Sequence, residues 1–116
     1  MPDTLEHALC RFRDLVNAHP RMKTLLKGWD RAAVVATEDA DETFTVEFKD
    51  CQIVRVAAGI QVDNAAIKLK ATQRTLTDIF LGDLNPASEF LDGRLQVIAS
   101  DKDQVKLDAI TLLLWD

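Results

Sequence analysis

At 116 residues the chain has the length of one domain and reads as one continuous unit over 1–116. Apolar residues at 47% and charged residues at 28% suit a globular fold, which excludes disorder and collagen-like repeats, and no apolar run approaches the ~18 to 20 residues of a membrane helix. A net charge of −5 argues against a general nucleic-acid binder, whose phosphate contacts need a basic surface.

The start, Met1-Pro2-Asp3-Thr4-Leu5-Glu6, lacks the basic region and apolar stretch of a signal peptide. Cys10 and Cys51 make no disulfide framework, and both features predict a cytoplasmic protein. Residues 3–18 carry the pattern of an amphipathic helix: Leu5, Ala8, Leu9, Phe12, Leu15 and Val16 recur at three-and-four spacing on one face. Asp3 is placed to cap it, with Glu6 completing a capping-box variant. His19-Pro20 breaks it, and Pro20 opens a second, short helix through Leu25 and Leu26 that Gly28 stops.

The period then changes. Residues 31–37 form a short apolar run with β-branched content, and Glu38-Asp39-Ala40-Asp41-Glu42 reads as a solvated turn. Phe44, Val46 and Phe48 alternate with Thr45, Glu47 and Lys49, which marks a half-buried strand. Val54, Val56 and Ala58 continue in a third strand after a turn at Asp50-Cys51, and Ala65, Ile67, Leu69 and Ala71 alternate in a fourth. Four strands in succession predict a mostly antiparallel meander with one wet face.

Helical spacing returns at Leu76, Ile79 and Phe80 and closes at Gly82. Asn85-Pro86 restarts a short helix with an N-cap and a first-turn proline, ended by Gly93. Leu95, Val97 and Ala99 alternate as a fifth strand, and Ser100 with Asp103 caps a last helix from about 101 to 115. The order α-α-β-β-β-β-α-α-β-α predicts an α+β fold: one five-stranded, mostly antiparallel sheet covered on one face by helices.

Candidates for chemistry are few. There is no tyrosine, and His7 and His19 are the only histidines. His7 and Cys10 have the spacing of a Cys–His pair on the first helix, yet both fall on the flank away from Leu5, Phe12 and Val16. Such a flank supplies neither a pocket nor oxyanion donors, so plain surface residues are the better reading. The acidic run 38–42 lacks the glycine and spacing of a calcium loop. No glycine-rich phosphate loop, zinc spacing or serine elbow occurs, and no catalytic residue, metal or cofactor is expected.

Charge is uneven along the chain. Arg11, Arg13, Arg21, Lys23, Lys27 and Arg31 meet only Asp14 and Asp30 over residues 11–31, a local balance of +4. Such a patch is able to dock on an anionic membrane surface or an acidic partner; charged helix faces are the plainer reading. The last helix carries Val105, Leu107, Ala109, Ile110, Leu112, Leu113, Leu114 and Trp115, apolar around more of its circumference than a one-sided helix requires. Either the chain end is buried on two sides, or the helix covers something apolar that is not protein.

From Asp78 onward a resemblance emerges. Gly82-Asp83-Leu84-Asn85-Pro86-Ala87-Ser88-Glu89-Phe90-Leu91-Asp92-Gly93-Arg94-Leu95 resembles the signature of the sterol carrier protein type-2 domain family. That signature runs Gly-Lys-Leu-Asn-Pro, three small or variable residues, Phe, two more, then Gly-Lys-Leu and a strand. Ser100-Asp101 and Lys106-Leu107 match the start of the family's last helix, and Phe48-Lys49-Asp50 is similar to the end of its second strand.

The resemblance implies an apolar cavity between sheet and helices, and a non-enzymatic binder or carrier of sterol-like, fatty acyl or isoprenoid lipids. It implies Phe80, Leu84, Phe90, Val97, Ile110, Leu113 and Leu114 as lining residues, with the last helix bordering the mouth. It also implies a second use of the fold, as an accessory or dimerisation module for a protein partner, for example in isoprenoid-quinone metabolism, which leaves room for a homodimer. Two departures stand out. Asp83 occupies the usual lysine position, and Cys51 replaces the glycine after Asp50, so that turn either avoids a positive φ or strains Cys51. The ending Leu114-Trp115-Asp116 is no Ser-Lys-Leu-type peroxisomal signal, which favours a stand-alone bacterial-type member.

Overall fold

The computed structural model describes residues 4–115. Along the chain come helices α1 (Leu5–Ala18) and α2 (Met22–Leu25), then strands β1 (Arg31–Thr37), β2 (Thr43–Lys49), β3 (Gln52–Ala58) and β4 (Ile67–Ala71). Helices α3 (Gln73–Leu81) and α4 (Pro86–Leu91), strand β5 (Gln96–Ile98) and helix α5 (Asp101–Trp115) follow, in the expected α+β order. The expected cap Asp3 lies outside the described residues. Thr4 caps α1, its hydroxyl accepting from the His7 amide at 3.0 Å and satisfying one of the amides that a helix start leaves open. Leu5, Ala8, Leu9, Phe12 and Val16 are buried, while Leu15 sits at the edge of the stripe.

The five strands lie in the order β3-β2-β1-β4-β5. Three neighbouring pairs are antiparallel, but the meander runs only through β1, β2 and β3, and β4 pairs parallel to β1. The reason is the length of the connection 59–66. Strand β4 stands three strand spacings from β3, about 14 Å, which a tight turn cannot bridge and an extended segment of that length can.

This crossover runs over the face away from the helices. There the Thr45 hydroxyl donates to the Gly59 carbonyl at 2.8 Å and accepts from the Gln61 amide at 3.0 Å. Thr45 and its neighbour Val34 are therefore buried, and the expected wet face is wet only in part.

The inner face is continuous across the strands: Phe44, Val35, Leu69 and Val97 form one row in register. A bulge interrupts the β2–β3 ladder. Glu47 faces Arg55 and Phe48 faces Ile53, so Val54 is the extra residue and turns outward, half exposed, instead of sharing the face of Val56. Asn17 of α1 holds that bulge, accepting from the Ile53 amide at 2.8 Å and donating to the Ile53 carbonyl at 3.0 Å. At the hairpin tip Asp50 and Cys51 have φ of +55° and +64°, the conformation of a type I′ turn. Cys51 thus takes the strained alternative, since a β-carbon in the left-handed region costs about 1–2 kcal/mol.

Candidate functional site

Between the inner face of the sheet and helices α1, α3, α4 and α5 lies a cavity of about 320 Å³. That volume falls within the range of small-ligand sites, about 300–1,000 Å³, and is twice the roughly 150 Å³ apolar void that holds benzene. The floor is Ala33, Val35, Val46, Leu69 and Val97, where the small Ala33 side chain leaves space above the sheet. Phe12, Leu76, Ile79, Phe80, Leu107 and Ile110 form walls. Helix α4 contributes Pro86, Ala87, Phe90 and Leu91 to the wall, and α5 adds Gln104, Asp108, Thr111 and Trp115.

Phe90 is 44% and Leu91 82% exposed and Asp108 is exposed as well, so the cavity opens to solvent at these lining residues of α4 and α5. Two of the polar wall residues turn to backbone: the Gln104 amide donates to the Ala99 carbonyl at 3.1 Å, and the Thr111 hydroxyl to the Asp108 carbonyl at 2.9 Å. What remains facing the space is almost wholly hydrocarbon and aromatic.

Each wall is anchored by a polar device. In α4, Asn85 caps the start by accepting from the Ala87 and Ser88 amides at 2.8 and 3.2 Å. Its other end is held by Glu89, buried beneath the turn into β5. The Glu89 carbonyl accepts the Arg94 and Leu95 amides at 2.9 and 3.1 Å, and its carboxylate takes a two-pronged bond from the Arg94 guanidinium, with Nη2 to Oε1 at 3.1 Å. The hydrogen bonds from the Arg94 side chain hold the Glu89 carboxyl below its ordinary 4.5, against a smaller opposing effect of burial.

In α5, Ser100 accepts the Asp103 amide at 3.2 Å, as the capping pattern predicts. The Asp103 carboxylate does something the pattern does not contain. Buried, it accepts from Trp29 Nε1 at 2.8 Å and Arg31 Nε at 3.1 Å, which fastens the first turn of α5 to the start of β1. At the other end of α5, Trp115 stacks on Phe12 with centroids 5.9 Å apart, and Phe12 meets Phe80 edge-on at 5.1 Å. The Trp115 indole rests on Gly82, where a β-carbon would stand 2.5 Å from Nε1.

Of the residues that the resemblance implies as lining, Phe80, Phe90, Val97 and Ile110 are in the cavity wall. Leu84, Leu113 and Leu114 are not; partly buried, they pack against the core around it. The side of α5 that meets the space is Gln104, Leu107, Asp108, Ile110, Thr111 and Trp115. That stripe has helical spacing, but its polar members interrupt the apolar pattern, which Leu113 and Leu114 on the adjoining flank continue.

The other sequence candidates lie elsewhere. His7 is exposed and Cys10 half-buried on α1, and among the described residues no group of three His, Cys, Asp or Glu side chains could hold a metal. The acidic run closes the start of α3: Asp39 accepts the Gln73 amide at 2.9 Å, and Glu42 accepts from the Gln73 side chain. In the basic patch Arg31 is committed to Asp103 and Arg13 pairs with Asp14 at 3.1 Å, leaving Arg11, Arg21, Lys23 and Lys27 on the surface. Among the described residues no helix is long and apolar enough to cross a membrane.

No protein-family model matches the chain, and none of the curated proteins does. Solved structures do. The chain is similar to a UbiJ-SCP2 ubiquinone synthesis protein at 15% identity and TM-score 0.71, with 90% of each chain covered. It is similar to palmitated SCP2L2 from Aedes aegypti at 14% identity and TM-score 0.70, over 94% of this chain and 95% of that one. It also matches the inverting sec-alkylsulfatase Pisa1 from Pseudomonas sp. at 19% identity and TM-score 0.63; there 81% of this chain spans only 14% of the sulfatase. The architecture is therefore that of the sterol carrier protein 2 fold.

Proposed function

We propose that this chain is a non-enzymatic lipid binder that takes a sterol-like, fatty acyl or isoprenoid chain into the cavity between the sheet and α5. The observation that carries the reading is the character of that cavity: about 320 Å³, with Asp108 as the one ionisable residue in its wall among the described residues. Such a wall holds no nucleophile paired with a base, and it rewards apolar contact at about 25 cal/mol per Å² withdrawn from water. Selectivity then comes from shape and a few polar groups at the mouth. Phe80, Phe90, Val97 and Ile110 touch the ligand, and Leu84, Leu113 and Leu114 back the wall. Residues 1–116 act as one binding unit in the cytoplasm, where Cys10 and Cys51 stay thiols. Arg11, Arg21, Lys23 and Lys27 offer a docking face for the anionic membrane that supplies the lipid.

Retinol, an uncharged lipid that fluoresces out of water, tests this reading. Wild-type protein is expected to bind it saturably. Phe90→Asp is expected to abolish binding with an unchanged circular dichroism spectrum, because Phe90 stands half exposed at the mouth and outside the core. No saturable binding by folded wild-type protein would overturn the proposal.

A second reading, an accessory or dimerising module, has its own support. Val105 and Leu112, two turns apart on α5, are 68% and 54% exposed and form an apolar stripe outside the cavity wall. If a partner or a second copy covers them, a Val105→Lys, Leu112→Lys double variant loses association in analytical ultracentrifugation and keeps retinol binding.

A further inference from the structure

We infer that the cavity selects lipid chains ending in an uncharged, hydrogen-bond-donating head such as an alcohol, discriminates against carboxylates, and that Asp108 sets this preference. The inference rests on the lipid-binding reading above and follows from the charges at the mouth. Asp108 is exposed in the wall of the cavity, as are Phe90 and Leu91, and no Lys, Arg or His belongs to that wall among the described residues.

The nearby cations are turned elsewhere. Lys106 donates to the Leu25 carbonyl at 2.9 Å, and with Lys102 it lines the hollow on the α2 side of α5. Arg94 is taken by Glu89 and by Asp92, the latter at 2.9 Å. A chain seated tail-first brings its head to this mouth. A carboxylate head would face the Asp108 carboxylate with no cation to offset it, whereas a hydroxyl can donate to it. Across water-exposed separations of about 4 Å such repulsion changes affinity about fivefold to tenfold.

Retinol and retinoic acid share one polyene and differ at the head, so their dissociation constants at neutral pH and low salt read the preference directly. Wild-type protein is expected to bind retinol about fivefold to tenfold more tightly; Asp108→Asn should narrow the ratio and Asp108→Lys reverse it. Asp108 lies exposed on a helix, so both variants should fold. Equal or tighter binding of retinoic acid by the wild type, or a ratio unchanged in Asp108→Asn, would overturn this inference and leave the lipid-binding reading standing. Binding of neither ligand would overturn both.

Discussion

At Gly82 two demands meet. The residue closes α3 with φ of +87°, and its missing side chain leaves room for the Trp115 indole at the end of the cavity. Gly93 has a similar φ of +79° but nothing within 4 Å of where a β-carbon would stand. The two glycines therefore form a controlled pair. Both Gly82→Ala and Gly93→Ala should lose about 1–2 kcal/mol to left-handed backbone, read as a lower urea midpoint. Gly82→Ala should lose more and should also weaken retinol binding, because Trp115 is displaced from the wall; equal losses and intact binding would remove Trp115 from the account. The sequence marks Gly82 as a helix stop, and that much is legible from one position. Its second role depends on a residue thirty-odd positions away, which no local pattern contains.

Among the elements, α4 is the one whose order controls the mouth, and its anchor is titratable. The folded state lowers the Glu89 pKa through Arg94, so this contact stabilises the fold fully above the ordinary 4.5 and is lost as the pH falls through the lowered folded value. Urea unfolding of the wild type should show stability falling with pH below about 4.5. In Glu89→Gln that acid limb should be flatter and stability at neutral pH lower; an acid limb identical to wild type would contradict the assignment.

Element identity was legible throughout, since the periods of 3.6 and 2, the Asn85-Pro86 start and the glycine stops are local signals. Topology was less so. The parallel β1–β4 pair depends on where the 59–66 segment leads, and its length beyond a hairpin turn was the available clue. The bulge at Val54 and the tie from Asp103 to Trp29 and Arg31 arise from tertiary partners: Asn17 in one case, two side chains near β1 in the other.

For the molecule as a whole, the question the sequence left open at α5 now has a physical form. The helix is apolar on several sides because Leu107 and Ile110 face the cavity, Leu113 and Leu114 pack on the core, and Val105 and Leu112 face outward. The last turn is partly buried on protein with Leu112 left exposed, and the helix borders an apolar space. Part of the wall was legible: four of the seven residues that the resemblance implies, Phe80, Phe90, Val97 and Ile110, belong to it. The rest of α5 was not, because a cavity wall with an open mouth tolerates Gln104, Asp108 and Thr111 where a sealed core would not. Methyl and indole NMR during titration with retinol tests the central claim most directly. Shifts concentrated at Ala33, Leu69, Ile79, Val97 and the Trp115 indole are the expected result; shifts confined to Val105 and Leu112, or none at saturating retinol, would contradict it.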